Sequence, residues 1–408
     1  MLPEGWENVS LGAVCQITTG GTPNRAVPEY WNGDIPWMSS GEINQRIVRN
    51  VAEHITALGM ANSNARRLPA GTVMMALNGQ GKTRGKVALL QIETTCNQSL
   101  AGLIADRTRL LSDYLFHSLD AQYQDIRNIT GDDARNGLNL GILRALAIAL
   151  PPLDEQQRIA EVLRSVDDAI ARAKVAVKQA SHAIDGMLQR LFVEGIGHAD
   201  FKDGYSTPIP ASWDEKSLGE LSATPITYGV VQPGPNVVDG IPFVRGGDFP
   251  NGKIDIAALR KIGKDVASQY RRTQLRGGEI VVSLVGYPGA CAIVPDALAG
   301  ANVARQAALI RPSKEVFASY LYQFLRSPIG QARLKKETIG SAQQVINLRD
   351  LKEVIVAVPP KREQEQIAAI LADLDAFVEL ETANLDKLTA LKGSIAADLL
   401  SGRVRVPA

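Results

Sequence analysis

Between Asp154 and Gly195 apolar residues recur in alternating steps of three and four: Ile159, Val162, Val166, Ile170, Ala173, Val177, Ala180, Ile184, Met187 and Leu191. That spacing is the seam of a coiled coil, and roughly 40 residues at about 1.5 Å each predict a helix about 60 Å long. A copy of the seam returns 208 residues later, between Lys361 and Gly402, as Ile367, Ile370, Leu374, Val378, Glu381, Leu385, Leu388, Lys392, Ile395 and Leu399. Glu381 and Lys392 interrupt it with charge. A helix with one apolar stripe must bury that stripe on a partner, and two such helices in one chain supply each other. Whatever precedes each helix is then a globular domain hung on its end.

The repeat extends beyond the helices, which decides the architecture. One half opens Pro3-Glu4-Gly5-Trp6 and then Ser10-Leu11-Gly12; the other opens Pro210-Ala211-Ser212-Trp213 and then Ser217-Leu218-Gly219. Ile35-Pro36-Trp37 answers Ile241-Pro242-Phe243. The apolar segments Val73 to Leu77 and Ile280 to Val285 match as strands, and Tyr114 to Leu119 matches Tyr320 to Leu325 as a short amphipathic helix. Gly131 pairs with Gly340. The strands Leu146 to Leu150 and Val354 to Val358 stop at Pro151-Pro152 and Pro359-Pro360. Acidic residues in the next turn (Asp154, Glu155; Glu363, Glu365) suit the positive end of a helix dipole. Gly195 and Gly402 supply the breaks at the far ends, and Gly204 to Pro210 reads as a linker.

These boundaries predict four segments: a first domain over 1–152, a long helix over 153–196, a second domain over 197–360 and a second long helix over 361–408. The fold class is α+β, two homologous domains separated by two long helices in an antiparallel coiled coil, a pseudo-twofold internal repeat. Between the shared anchors the halves diverge. Asn44 to Arg67 does not resemble Asn251 to Gln274, and Asn78 to Lys86 differs from Gly286 to Ala290. One scaffold with two different contact surfaces suits a chain that reads two different things.

With 408 residues, 45% hydrophobic and 21% charged, the chain has the composition of an ordinary soluble protein of two or three domains. Its apolar runs are too short to span a bilayer, and its start lacks a basic segment followed by an apolar core, so a cytoplasmic location is expected. Cys15, Cys96 and Cys291 lie far apart without metal-ligand spacing and are expected as reduced, buried thiols; the four histidines do not cluster either. A net charge of +1 means that any nucleic-acid face must come from segregated charge. Segregation is visible. In the second helix Lys361, Arg362, Lys387 and Lys392 face eight carboxylates, whereas Arg46 and Arg49, Arg66 and Arg67, Arg260, Lys261 and Lys264, and Arg271 and Arg272 lie within the globular parts.

Motifs for chemistry fail their spacing tests. Asn78-Gly79-Gln80-Gly81-Lys82-Thr83 follows a strand, yet a phosphate-binding P-loop needs glycine at position 76, where Ala76 stands. Pro151-Pro152 and Pro359-Pro360 follow Leu150 and Val358, so the Asn/Asp-Pro-Pro-aromatic box of amino-methyltransferases is absent. No nucleophile elbow, His-Glu-x-x-His helix or zinc pattern occurs. Asp132-Asp133 and Asp167-Asp168 lack helper ligands and read as solvated surface.

The two-half plan, the Pro-x-x-Trp start of each half, and the boxes Pro-Pro-Leu-Asp-Glu-Gln-Gln-Arg-Ile-Ala at Pro151 to Ala160 and Pro-Pro-Lys-Arg-Glu-Gln-Glu-Gln-Ile-Ala at Pro359 to Ala368 resemble the specificity subunit of type I restriction-modification systems. The resemblance covers essentially the whole chain. It implies a non-catalytic reader of double-stranded DNA whose two target-recognition domains each read one part of a split, asymmetric site. It also implies two modification subunits carrying S-adenosylmethionine and adenine-N6 methylation, and motor-nuclease subunits using ATP and magnesium. No cofactor or metal is expected on this chain.

Base-reading residues vary within such a family, so the candidates come from the residues themselves. In the first domain they are Arg25, Trp37, Ser39, Arg46, Lys82, Arg84 and Lys86; in the second, Arg245, Tyr287, Arg305, Gln306, Gln343 and Gln344. Arginine and glutamine can bond base edges in pairs, while lysine adds salt-dependent phosphate affinity. Trp37 and Phe243 follow Ile-Pro and read equally as core. The expected helix seam and partner-binding positions are Ile159, Val166, Ile170, Val177, Ile184, Leu191, Ile367, Leu374, Leu385, Leu388 and Ile395. Two other readings stand beside this one: a coiled-coil scaffold for proteins without a DNA role, and an enzyme with an unrecognised site.

Overall fold

The computed structural model describes residues 2–79, 83–129, 137–336, 338–339 and 345–406. Four helices organise it: α1 (Ser112–Ala121), α2 (Leu153–Val193), α3 (Ala318–Arg326) and α4 (Lys361–Ser401). The chain closes into two compact units, Met1–Lys174 with Ala383–Ala408, and Val175–Thr382. Each long helix therefore gives its first part to one unit and its last part to the other.

In the first unit, among the described residues, a five-stranded sheet runs in the order Cys15–Thr19, Leu100–Ala105, Val73–Ala76, Val87–Leu90, Ile47–Val48. Beside it lies a three-stranded sheet with Trp31–Met38 in the middle, between Glu53–Ile55 and Thr95–Cys96. The second unit has the same plan. Thr227–Tyr228, Ala307–Ile310, Ile280–Ser283 and Cys291–Ile293 form one sheet, and Ile241–Val244 is flanked by Arg260–Ile262 and Asn302–Val303 in another. Central strands such as Val73–Ala76 and Ile280–Ser283 are buried on both faces, which explains why they read as continuous apolar runs rather than alternating ones.

The repeat holds to the level of single bonds. Glu7–Ser10 pairs antiparallel with Ala147–Leu150, and Asp214–Ser217 pairs with Ile355–Val358 in the same register. Tyr114 Oη donates to the Ala149 carbonyl at 2.7 Å, and Tyr320 Oη donates to that of Ala357 at 2.7 Å. The first turn of α2 buries Gln156, whose amide donates to the Arg109 and Pro151 carbonyls while its oxygen accepts from the Leu111 amide. Gln364 of α4 repeats all three bonds with Glu315, Pro359 and Phe317. Buried amides need such partners, so the Pro-Pro-x-x-x-Gln box is a fitting that locks a strand end to a helix start.

The neighbouring glutamate is a second fitting. Trp6 Nε1 donates to Glu155 Oε2 at 3.0 Å, and Trp213 Nε1 donates to Glu363 Oε2 at 2.9 Å. Each glutamate is also reached from the end of the other long helix. In the first unit Arg405 Nε and Nη2 contact Glu155 at 2.6 and 2.7 Å; in the second, the Ile196 amide and His198 Nε2 contact Glu363 at 2.9 and 2.8 Å. Gly402 and Gly195 adopt the left-handed conformation (φ +70° and +67°) that turns the chain onto these sites.

The long helices run antiparallel within each unit: α2 advances from Glu155 to Asp167 as the opposing segment recedes from Arg405 to Lys392. The seam residues Ile159, Ile170, Ile184 and Ile367 are buried, and Val166, Val177, Leu191, Leu374, Leu385, Leu388 and Ile395 are half-buried. Two expected seam positions are corrected. Met187 and Ile370 are 43% and 36% exposed, while Leu163, Leu188, Phe192 and Leu371 are buried. Each helix packs on its own domain as well as on the other helix, so the buried stripe is wider than a heptad seam and rotated from it. The supposed linker is also structured: Phe201–Lys202 pairs with Ile209–Pro210, because Ile209 joins the core of the second unit.

Candidate nucleic-acid interface

In the second unit one end of the sheets gathers several of the nominated residues. Arg245 follows the strand Ile241–Val244, Arg305 and Gln306 join two strands, and Leu284–Ala290 leaves the strand Ile280–Ser283. Backbone bonds draw these segments together: Leu284 N donates to Gln306 O at 2.8 Å, Ala304 N to Val244 O at 2.8 Å and Arg305 N to Val230 O at 3.0 Å. Arg305, Gln306 and Tyr287 are exposed at this edge, Tyr287 by 56%. Arg245 is tied to Asp248, with Nη2 2.7 Å from Oδ1, which raises its pKa through that bond. Gln343 and Gln344 lie outside the described residues, as does Gly340.

The first unit builds the same edge from different side chains. Leu77 N donates to Ser99 O at 2.9 Å, as Leu284 N does to Gln306 O. Gln98 thereby stands where Arg305 stands, exposed, accepting from Thr22 Oγ1 at 2.6 Å. Neither Gln98 nor Thr22 was nominated from sequence, although Asn97-Gln98-Ser99-Leu100-Ala101 set against Ala304-Arg305-Gln306-Ala307-Ala308 carries the signal. Arg25 lies 3.8 Å over the Trp31 ring and pairs with Glu53, which raises the arginine pKa and lowers that of the glutamate. An exposed cation on an aromatic face is preorganised for a base or phosphate. Lys86 Nζ donates to Asn44 Oδ1 at 2.7 Å.

Other nominated residues take structural positions. Trp37 is 2% exposed and donates its Nε1 to the Gly21 carbonyl at 2.9 Å, the core alternative, and Phe243 is equally buried. Ser39 caps the turn Ser40–Gln45 together with Glu42. Arg84 is 6% exposed, with Nη2 3.5 Å from the Arg127 carbonyl. Lys82 lies outside the described residues, as do Gly131, Asp132 and Asp133.

Arg46 is held at a joint between the first domain and the long helices. Its guanidinium reaches both oxygens of Asp120 at 2.7 and 2.9 Å and Asp167 Oδ2 at 3.1 Å, while Lys392 Nζ lies 3.0 Å from Asp120 and 2.7 Å from Asp167. Asp167, expected as solvated surface, is instead part of this network; Lys392 interrupts the seam because it belongs there too. Arg46 adopts φ +64° with ψ −49°, a sparsely populated backbone conformation that costs a non-glycine residue about 1–3 kcal/mol and persists where surrounding contacts fix it. Burial alone would raise the Asp120 pKa, and its bonds to Arg46 and Lys392 bring it below the ordinary value.

His117 packs beside this joint, 4% exposed, with Nδ1 3.8 Å from Asp167. Burial pushes its pKa down to about 4, a shift that the nearby carboxylates of Asp167 and Asp120 oppose only in part. The unfolded chain binds this proton near pH 6.5, so the native state holds fewer protons between about pH 6.5 and 4. The stabilisation is complete above that range and is lost as pH falls through it, by up to about 1.4 kcal/mol per pH unit. Urea unfolding at pH 7 and pH 5 should show this loss, and His117→Gln, which installs the residue found at Gln323, should flatten it.

Among the described residues no group of three or more histidine, cysteine, aspartate or glutamate side chains is placed to hold a metal, and no helix is long and apolar enough to cross a membrane. The three thiols are free, Cys96 and Cys291 buried and Cys15 half-buried; burial pushes each pKa up to about 12, which keeps them protonated and unreactive.

Comparison with known proteins agrees with the geometry. A model of the type I restriction modification DNA specificity domain matches residues 3–179 and again 210–390. The chain is 28% identical to the Escherichia coli EcoBI specificity subunit over 76% of its length and 68% of that protein's. It is 24% identical to the MjaVIII specificity subunit of Methanocaldococcus jannaschii over 99% and 94% of the two chains. A chain solved in work on assembly and conformational transition of the type I system aligns with TM-score 0.63 and 19% identity, covering 99% of this chain and 100% of that one. The S subunit from M. genitalium aligns with TM-score 0.58 and 15% identity over 98% and 96%. These structural likenesses are to the fold. With two matched copies of the domain covering most of its length, the chain belongs to the family of type I restriction-modification DNA specificity proteins.

Proposed function

We propose that this chain is the non-catalytic reader of a type I restriction-modification complex, each domain reading one part of a bipartite, asymmetric DNA site. One observation carries the reading. The scaffold bonds repeat from half to half, whereas the edges built on them differ: Gln98, Thr22 and Arg25 on one, Arg305, Gln306 and Tyr287 on the other. A repeated frame with divergent polar edges is what reading two different sequences requires. Partner subunits would supply S-adenosylmethionine and the methylation step, and further partners ATP, magnesium and cleavage. The adenine to be methylated, once flipped from the duplex, would enter a partner's pocket while this chain holds the flanking base pairs. The coiled-coil scaffold reading gives no reason for the edges to diverge, and among the described residues no acid-base or nucleophile constellation favours the enzyme reading.

Lys82 and Lys86 are assigned to the phosphate backbone. Replacing both with alanine in the assembled complex should reduce the slope of log affinity against log salt by about 1.8, at about 0.9 per phosphate contact. An unchanged slope would remove this loop from the interface.

A further inference from the structure

Each unit is completed by a helix segment from the other half of the sequence: Ala383–Ser401 closes the first, Val175–Val193 the second. Being repeats, the two segments share a seam and end in the same glycine turn. The glutamate fittings do not tell them apart, since Arg405 and His198 can each donate to either Glu155 or Glu363. A second copy of the chain could therefore offer the wrong segment, making a unit from two first halves or from two second halves.

The charged joints do tell them apart. In the first unit Asp120 ends α1, Asp167 lies on α2, and the incoming segment brings Lys392 to both carboxylates. In the second, the position of Asp120 is occupied by Arg326 and that of Asp167 by Asp375, which pair with each other. There the incoming segment brings Ile184 in register with Lys392, buried, and Asp185 next to it. Both line one cavity with Arg326, Asp375, Lys253 and Glu379, the last two 2.5 Å apart.

Exchanging the segments breaks both joints. Ile184 and Asp185 brought to the first would leave Asp120 and Asp167 with Arg46 alone and add a third carboxylate. Lys392 brought to the second would place a third cation beside Arg326 and Lys253. The side chains of Asp120, Asp167 and Lys392 are 17–23% exposed, so solvent screens such a mismatch less than it would at an open surface. We infer that the exchange of Asp120 and Lys392 for Arg326 and Ile184-Asp185 selects the segment that closes each unit, so that each half accepts the segment of the other half and refuses the segment of a like half offered by a second copy.

The test makes the joints alike in the full-length chain. Asp120→Arg with Lys392→Ile gives the first joint the Arg326 and Ile184 of the second, and two differently tagged copies are expressed together. The altered copies should co-purify more than wild-type copies by on the order of tenfold, with mass by light scattering rising towards two chains. A folded double variant whose copies co-purify no more than wild-type copies do would overturn the inference. Should the double variant not fold, adding Arg326→Asp and Ile184→Lys exchanges these two residues between the joints. That fourfold variant should fold as a single chain; if it does not, the joints are not complementary.

Discussion

Trp213→Ala is expected to lower the stability of the chain by about 3–5 kcal/mol, the usual cost of truncating a large core aromatic. Trp213 is wholly buried, and its indole holds Glu363, which in turn binds the Ile196 amide and His198 at the end of α2. Alanine there leaves a cavity in the core shared by Phe192, Tyr320 and Ile367 and takes one donor from a carboxylate that is itself largely buried. Trp213→Phe separates the two effects by filling most of the volume while removing only the hydrogen bond to the charged group, worth about 1.5–3 kcal/mol. Thermal unfolding of the two variants should order them with alanine lowest. Equal midpoints would mean that the indole bond, not its volume, holds the fitting.

Val177→Pro is expected to abolish assembly with the modification partners. Proline in a helix interior removes one backbone bond and clashes with the carbonyl four residues earlier, here Ala173, at a cost of about 3 kcal/mol or more. Val177 lies deep within α2, far from either end, and the Ser181 hydroxyl also donates to its carbonyl at 2.9 Å. A kink there misaligns the surface that the partners would grip while leaving the sheets of each domain untouched. Co-purification measures it directly. Undiminished assembly would count against the long helices as the docking surface, whereas Val177→Ala, which keeps the helix, should assemble normally.

Much of this architecture is legible in the sequence because it is written twice. The Pro-Pro boxes, the Pro-x-x-Trp starts and the paired heptads each predict an element that the structure contains, and the second copy removes chance from each match. What was not legible depends on contacts distant in sequence. Arg46 read as a free cation near a variable stretch, and only the fold brings Asp120, 74 residues away, and Asp167 against it. Met187 and Ile370 obeyed the heptad, but packing against a domain as well as a helix turned them outward. Gln98 was missed because it lies in a short connection with no charge or aromatic to draw notice, and its position becomes visible only when Ser99 and Gln306 are seen to accept equivalent backbone bonds.

The most direct test of the two-reader claim is to express this chain with its modification partner and map N6-methyladenine across the host genome by single-molecule sequencing. Two different domains reading one duplex should yield a single motif of two unlike parts separated by a fixed run of unspecified bases, methylated on both strands. A contiguous or palindromic motif, or no new mark from an assembled complex supplied with S-adenosylmethionine, would contradict it.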